Sequence, residues 1–215
     1  MRRITAFIVR RLAAPAFLVL AALGCAPLSG AAQDAGPGRQ PSPALVAPFV
    51  STPMTVVDAM LELASVGPSD VVVDLGSGDG RLVITAVTKF GARSGFGVDI
   101  DPTLVDYANR KAQEAGVTAR VQFFVRDLFV TDVRDATVVT VYLLPIAMNR
   151  LEDKLLAELA PGTRVVSHDY PFRGWRAERV VALDVPEKSD YTGRRSTSLY
   201  LYRVPARAPA PGAPR

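Results

Sequence analysis

The chain has one cysteine, one histidine and one tryptophan among its 215 residues. A lone Cys25 cannot close a disulfide within the chain, and if the segment carrying it is removed no thiol chemistry remains. One histidine and one cysteine cannot assemble the nitrogen and sulfur ligands of a zinc centre, so no metal is expected. No Gly-Lys-Ser/Thr follows any glycine cluster, which excludes a Walker phosphate loop. No apolar run reaches the ~20 residues that a spanning helix needs. A basic excess is also missing outside one short stretch. Arg2, Arg3, Arg10 and Arg11 account for the net charge of +4: without them the 25 basic residues become 21, equal to the 21 acidic ones. A domain of balanced charge has little to hold a phosphate backbone, so nucleic acid is not expected as a partner.

Those four arginines precede an apolar stretch, Leu12 to Leu23, and small residues that end Ser29-Gly30-Ala31-Ala32. Residues 1–32 read as an export signal cleaved after Ala32, or as an uncleaved N-terminal anchor. Pro15 and the stretch of about a dozen residues argue against a full span. Cys25 has Ala22 where a lipidation signal wants a large aliphatic residue. The expected location is the periplasm or the inner membrane surface, with the cytoplasm as the alternative, and membrane contact only through this segment. Residues 33–48, rich in Pro, Gly, Ala and Gln, read as a linker. Residues 49–204 form the domain, and 205–215 is a low-complexity tail read as disordered. A hydrophobic content of 49% suffices for a core in the domain, which is expected to be a monomer.

Residues 71–81 carry most of the chemistry: Val-Val-Val-Asp-Leu-Gly-Ser-Gly-Asp-Gly-Arg. Val71 to Val73 suit a buried strand. Asp74 follows, then Gly76, Gly78 and Gly80, then a helix-like stretch. A dinucleotide fingerprint is G-x-G-x-x-G. Here the third glycine comes one residue early, and Asp74 and Asp79 would repel a pyrophosphate. The expected ligand is a nucleoside of cationic character without phosphate, and S-adenosylmethionine fits. The loop resembles motif I of the class I methyltransferases, written D/E-x-G-x-G-x-G.

The rest of the domain reads as alternating strands and helices. A helix over Thr52–Ala64 comes first, and strands follow at 71–75, 95–99, 120–125, 137–143 and 164–168. Helices are expected near 80–90, 102–116 and 147–159. Two final strands, about 178–185 and 196–204, have no helix between them. Alternation implies a mostly parallel sheet with helices on both faces. The closing hairpin adds an antiparallel strand, the usual ending of a Rossmann-like class I methyltransferase fold of seven strands.

Ligands in such sheets bind beyond the C-terminal strand ends. Asp74 ends the first strand and faces a cofactor ammonium, or else only fixes the loop. Asp99 ends the second, 25 residues on, at the spacing of an acidic ribose-binding residue. Asp101 is the lesser candidate, because Asp101-Pro102 reads as a helix cap. The fourth strand ends at Tyr142, which orients an acceptor amine or simply packs. His168 is either a general base or a structural strand-end residue.

A narrower resemblance rests on Thr52-Pro53, Asp74 to Arg81, Asp127-Leu128-Phe129, Leu151 to Leu155, Pro161 to Ser167 and Trp175. These look like the small methyltransferases related to the ATP synthase c-subunit lysine methyltransferases, over about residues 47–185. The resemblance implies Asp127 at the adenine amino group and Leu128 against the base. It implies a cofactor-binding set of Asp74, Gly76, Ser77, Gly78, Gly80, Asp99, Asp127, Leu128 and Thr52, with Tyr142 and His168 on the catalytic side. The methyl acceptor is then a protein lysine or a small molecule. A Tyr-Leu-Leu-Pro segment, 142–145, replaces the Asn/Asp-Pro-Pro-Tyr/Phe of base-amino methyltransferases. Two readings compete: a non-catalytic nucleoside-binding protein of the same fold, and an NAD-type oxidoreductase disfavoured by the glycine spacing.

Overall fold

Short runs of β-branched residues separated by amphipathic stretches need a sheet to bury the runs and helices to cover it. The computed structural model, which describes residues 50–188, 193 and 195–206, builds that arrangement. The strands are β1 (Val71–Leu75), β2 (Ser94–Asp99), β3 (Val121–Val125), β4 (Val138–Val141), β5 (Arg164–His168), β6 (Arg179–Asp184) and β7 (Ser196–Arg203). The helices are α1 (Met54–Leu63), α2 (Arg81–Thr88), α3 (Pro102–Glu114) and α4 (Pro145–Glu158). The strand order is β3-β2-β1-β4-β5-β7-β6. Strands β1 to β5 are parallel, and β7 runs antiparallel to both β5 and β6. The expected seven-stranded α/β fold and its closing hairpin are therefore present. The expected signal, linker and tail fall almost entirely outside the described residues. Among those described, no helix is long and apolar enough to cross a membrane.

Period-two alternation sends neighbouring strand residues to opposite faces. Val72, Val138 and Val166 pack with Val57 and Leu61 of α1, Val83 and Ala86 of α2, and Ala108 of α3. Val73, Val139 and Val165 pack on the other face with Met148, Leu151 and Leu155 of α4 and with Tyr202. Burial on both faces explains why adjacent valines, Val72-Val73, Val138-Val139 and Val165-Val166, stand side by side in β1, β4 and β5 rather than alternating with polar residues.

Many element ends differ from the sequence expectation by one or two residues, some with physical causes. Helix α1 starts at Met54 because the Pro53 carbonyl accepts from both Val56 and Val57 N–H. Helix α4 starts at Pro145, whose fixed φ suits a first helical position. Just before β4, Thr137 puts its side-chain oxygen where it accepts from Val71 N–H at 3.0 Å and donates to Asp70 at 2.7 Å. Asp101 caps α3 by accepting from Thr103 N–H at 2.8 Å, as its Asp-Pro context predicts. The order reverses between β1 and β4, one leading on to β2 and the other to β5. That switch point opens the crevice in which ligands bind.

Candidate active site

Asp74 sits on β1 at this switch point, paired in register with Thr140 on β4. Only 3% of it is exposed. The Thr140 hydroxyl donates to its Oδ1 at 2.7 Å. No basic side chain pairs with it among the described residues. Burial pushes its pKa up to about 7; the Thr140 hydrogen bond opposes the shift, and the charges of Asp99 and Asp79 add to it. A buried carboxylate without a cation is costly to ionise, and a cationic ligand would relieve that cost.

The glycine loop folds over the end of β2. Gly76 and Ser77 N–H groups both donate to the Val98 carbonyl at 2.9 Å, and Gly78 N–H donates to Asp99 Oδ2 at 2.9 Å. Ser77 is buried, and its Oγ has no partner among the described residues. The loop comes this close because Gly97 lies beneath it: a Cβ there would stand 2.4 Å from Ser77 Cβ. Sequence reasoning overlooked Gly97, although a glycine inside a strand signals close backbone approach. Gly80 serves packing. At φ +79 its Cβ would stand 2.5 Å from Phe123 Cζ and 2.9 Å from Ala108 Cβ.

Asp79 corrects one step of the sequence reasoning. It was expected to repel phosphate, but its charge is spent inside the protein. Arg81 Nε donates to its Oδ1 at 2.8 Å, and Arg81 and Lys111 meet Oδ2 at 2.6 and 3.2 Å. Burial works to raise its pKa, but the bonds and charges of Arg81, then of Lys111, hold it below the ordinary carboxylate value. Arg81 also donates to the Thr52 carbonyl at 2.6 Å, which brings Thr52 against the loop.

Asp99 holds the loop and the next turn together, since its Oδ1 accepts from Asp101 N–H at 3.1 Å. Each of its oxygens has a further lone pair, so ribose hydroxyls and loop N–H groups need not compete. Asp127 caps a single 3-10 turn, Leu128–Val130, by accepting from Phe129 N–H at 2.8 Å. Leu128 is buried beside it.

Tyr142 and His168, distant in sequence, are brought together at the ends of β4 and β5. Their ring centroids are 3.9 Å apart at 33°. Tyr170, which sequence reasoning missed, lies 6.5 Å from Tyr142 and within 18° of parallel. His168 is 1% exposed, and burial lowers its pKa to about 4; nearby Asp169 opposes that shift and Lys188 reinforces it. Burial therefore favours the neutral imidazole near pH 7.

A buried carboxylate lacking its cation, an orphaned serine hydroxyl and a strand-end Asp beside a tight glycine loop fit a cofactor with an ammonium and a ribose. They do not suit a metal, and no group of potential ligands gathers among the described residues. The model of the ANTKMT methyltransferase domain matches residues 74–179. A protein-lysine N-methyltransferase from Saccharolobus islandicus is 40% identical over 157 residues, 73% of this chain and 93% of that one. The chain belongs to this methyltransferase family. A second family member, the adenine nucleotide translocase lysine N-methyltransferase of Mus musculus, is 40% identical over 137 residues, and the match spans 59% of its length. A crystal structure described as an RNA methyltransferase from Salinibacter ruber, in complex with S-adenosyl-L-homocysteine, is 45% identical with a TM-score of 0.67. It covers 75% of this chain and 97% of its own. This family member is thus an S-adenosylmethionine-dependent methyltransferase, and the oxidoreductase and non-catalytic readings are set aside.

Proposed function

We propose that the enzyme methylates the ε-amine of a lysine in a protein acceptor. The observation that carries this reading is the 40% identity that spans 93% of a protein-lysine N-methyltransferase. The site chemistry agrees with it. S-adenosylmethionine, when bound, supplies an electrophilic sulfonium methyl. Asp74 takes the cofactor ammonium, and Asp99 accepts from the ribose hydroxyls. Asp127 accepts from the adenine amino group, and Leu128 backs the base. Gly76, Ser77, Gly78 and Gly80 let the backbone close over the ligand, with Thr52 behind them. Tyr142 orients the acceptor.

Displacement by a neutral amine needs no protonation of the leaving sulfide, so alignment and exclusion of water supply most of the rate. A neutral His168 suits that, because an imidazolium would repel both the sulfonium and the lysine ammonium that must enter before it loses its proton. The lysine proton leaves to solvent before attack. The test incubates the purified chain with methyl-tritiated S-adenosylmethionine and with soluble and membrane extracts. Label recovered as methyl-lysine is expected; label in ribonuclease-sensitive material would overturn the reading in favour of RNA. RNA is the second reading because of the Salinibacter structure's description, and the 21-to-21 charge balance outside the first arginines speaks against it.

We also read residues 1–32 as directing export, leaving a monomeric enzyme on the far side of the membrane or tethered to it. An alkaline phosphatase fusion to residues 1–40 should be active. A silent fusion together with cytosolic full-length protein would refute export.

A further inference from the structure

Beside Tyr142 lies a buried polar network that the methyl-transfer chemistry above does not use. His168 closes β5, Asp169 follows it at φ 62, Lys188 ends a 3-10 turn after β6, and Thr197 lies on β7. Lys188, Thr197 and His168 are 3%, 1% and 1% exposed. Thr197 Oγ stands at the centre. It donates to Asp169 Oδ1 at 2.7 Å, accepts from Lys188 Nζ at 2.8 Å, and lies 2.6 Å from His168 Nε2. Lys188 also pairs with Asp169 Oδ2.

The hydrogens can be assigned from these contacts. A hydroxyl has one hydrogen and two lone pairs. The ionised Asp169 has no hydrogen to give, so the Thr197 hydrogen must point to it. Lys188 can only donate, and fills one Thr197 lone pair. The remaining contact requires His168 Nε2 to be the donor. Asp169 Oδ2, 3.7 Å from Nε2, favours a proton there as well. Burial disfavours a second ring proton, so Nδ1 is left a bare acceptor, buried with no partner among the described residues. Asp169 pairs with the Lys188 ammonium behind the ring that packs on Tyr142.

We propose that Lys188, Asp169 and Thr197 are positioning residues that lock His168 as its neutral Nε2–H tautomer and so hold Tyr142 in place as a wall of the methyl-transfer site. The proposal rests on the reading above only in placing Tyr142 beside the cofactor methyl. It does not depend on which acceptor is used.

Because the chain has a single histidine, 15N NMR of the full-length protein reports one imidazole. A protonated Nε2 and an unprotonated Nδ1 are expected at pH 7; an Nδ1–H tautomer or an imidazolium would overturn the proposal. The second arm uses 13C-methyl S-adenosylmethionine as probe. The methyl resonance of the bound cofactor should move in Thr197→Val and return in Thr197→Ser, with cofactor affinity unchanged in both. A methyl resonance unmoved by Thr197→Val, or moved equally by Thr197→Ser, would refute the positioning role. If Thr197→Val fails to fold, Lys188→Met serves in its place and the wild-type tautomer still decides. Loss of lysine methylation with the expected tautomer and methyl shifts would sink the acceptor reading and leave this one standing. Where turnover can be followed, displacement of Tyr142 should lower kcat by about tenfold to a hundredfold.

Discussion

Strands β1 and β4 meet an aspartate–threonine pair at each end, and the two pairs are built to opposite purposes. At the N-terminal end Asp70 accepts from Thr137 at 2.7 Å, and Arg164 of β5 reaches across to pair with the same carboxylate. Arg164 also donates to the Ala64 and Ser65 carbonyls. Charge and hydrogen bonds close among themselves there, and the end is a latch. At the C-terminal end Asp74 accepts from Thr140 at the same 2.7 Å, but no arginine pairs with it among the described residues. Burial there resists the ionisation of Asp74, and the Ser77 hydroxyl in the same loop has no partner among the described residues. One aspartate is finished by the protein; the other is left for a ligand to finish.

The sharpest way to break this contrast is Arg164→Met, which strips the latch and leaves Asp70 buried and charged. Breaking a buried pair this way costs roughly 3–5 kcal/mol, and the 18% exposure of the Arg164 side chain places the expectation at the low end. Urea denaturation should show it, with cofactor affinity intact where the chain is folded. At the other end, Asp74→Asn should weaken S-adenosylmethionine binding by roughly 1.5–3 kcal/mol, the scale of a charge-assisted hydrogen bond. Calorimetry measures this. The same variant should unfold no more easily at pH 8, because it removes a carboxylate that resists ionising.

The pH dependence sharpens the difference further. The folded pKa of Asp74, about 7, lies above its ordinary 3.8. The folded state therefore holds a proton that the unfolded state has released, and stability from this group is present at low pH and lost as pH rises through about 7. Cofactor affinity should run the other way, rising with pH through the same range and levelling above it. Binding near pH 6 should release a proton, seen in calorimetry as a heat that varies with the buffer. Asp99→Ala should have a smaller effect on binding, about 1.5 kcal/mol, through the hydroxyl contacts it removes. Its two backbone bonds, to Gly78 and Asp101 N–H, should also loosen the loop, seen as faster amide exchange there. The smallest change is expected from Arg134→Ala, which breaks an exposed pair with Asp132 and should leave both melting temperature and binding unmoved.

Much of this was legible in the chain itself. Short valine- and phenylalanine-rich runs announced the parallel strands, and Asp74, Asp99 and Asp127 stood out as acidic residues at or just past the ends of β1, β2 and β3. The Asp101-Pro102 cap was readable because both partners are local. What could not be read was whatever depends on residues far apart in sequence. Thr140 lies 66 residues from Asp74, and Thr197 lies 29 from His168. Only the closed sheet shows that the first pair lacks a cation or that the histidine is sealed and neutral. Asp79 misled for a related reason: its acidic character was plain, but Lys111, 32 residues away, and the folded-back Arg81 were not.

The contact between Gly80 and Phe123 has a consequence for how such a chain can change. The loop glycine and the β3 aromatic occupy one volume between them, with only 2.5 Å left for a methyl group. A side chain at position 80 therefore needs the ring at 123 to shrink and Ala108 Cβ, 2.9 Å away, to give as well, and its left-handed backbone disfavours it in any case. The two sites should drift together: a lineage that trims Phe123 gains freedom at Gly80 that its ancestor lacked, and order of substitution matters more than either change taken singly.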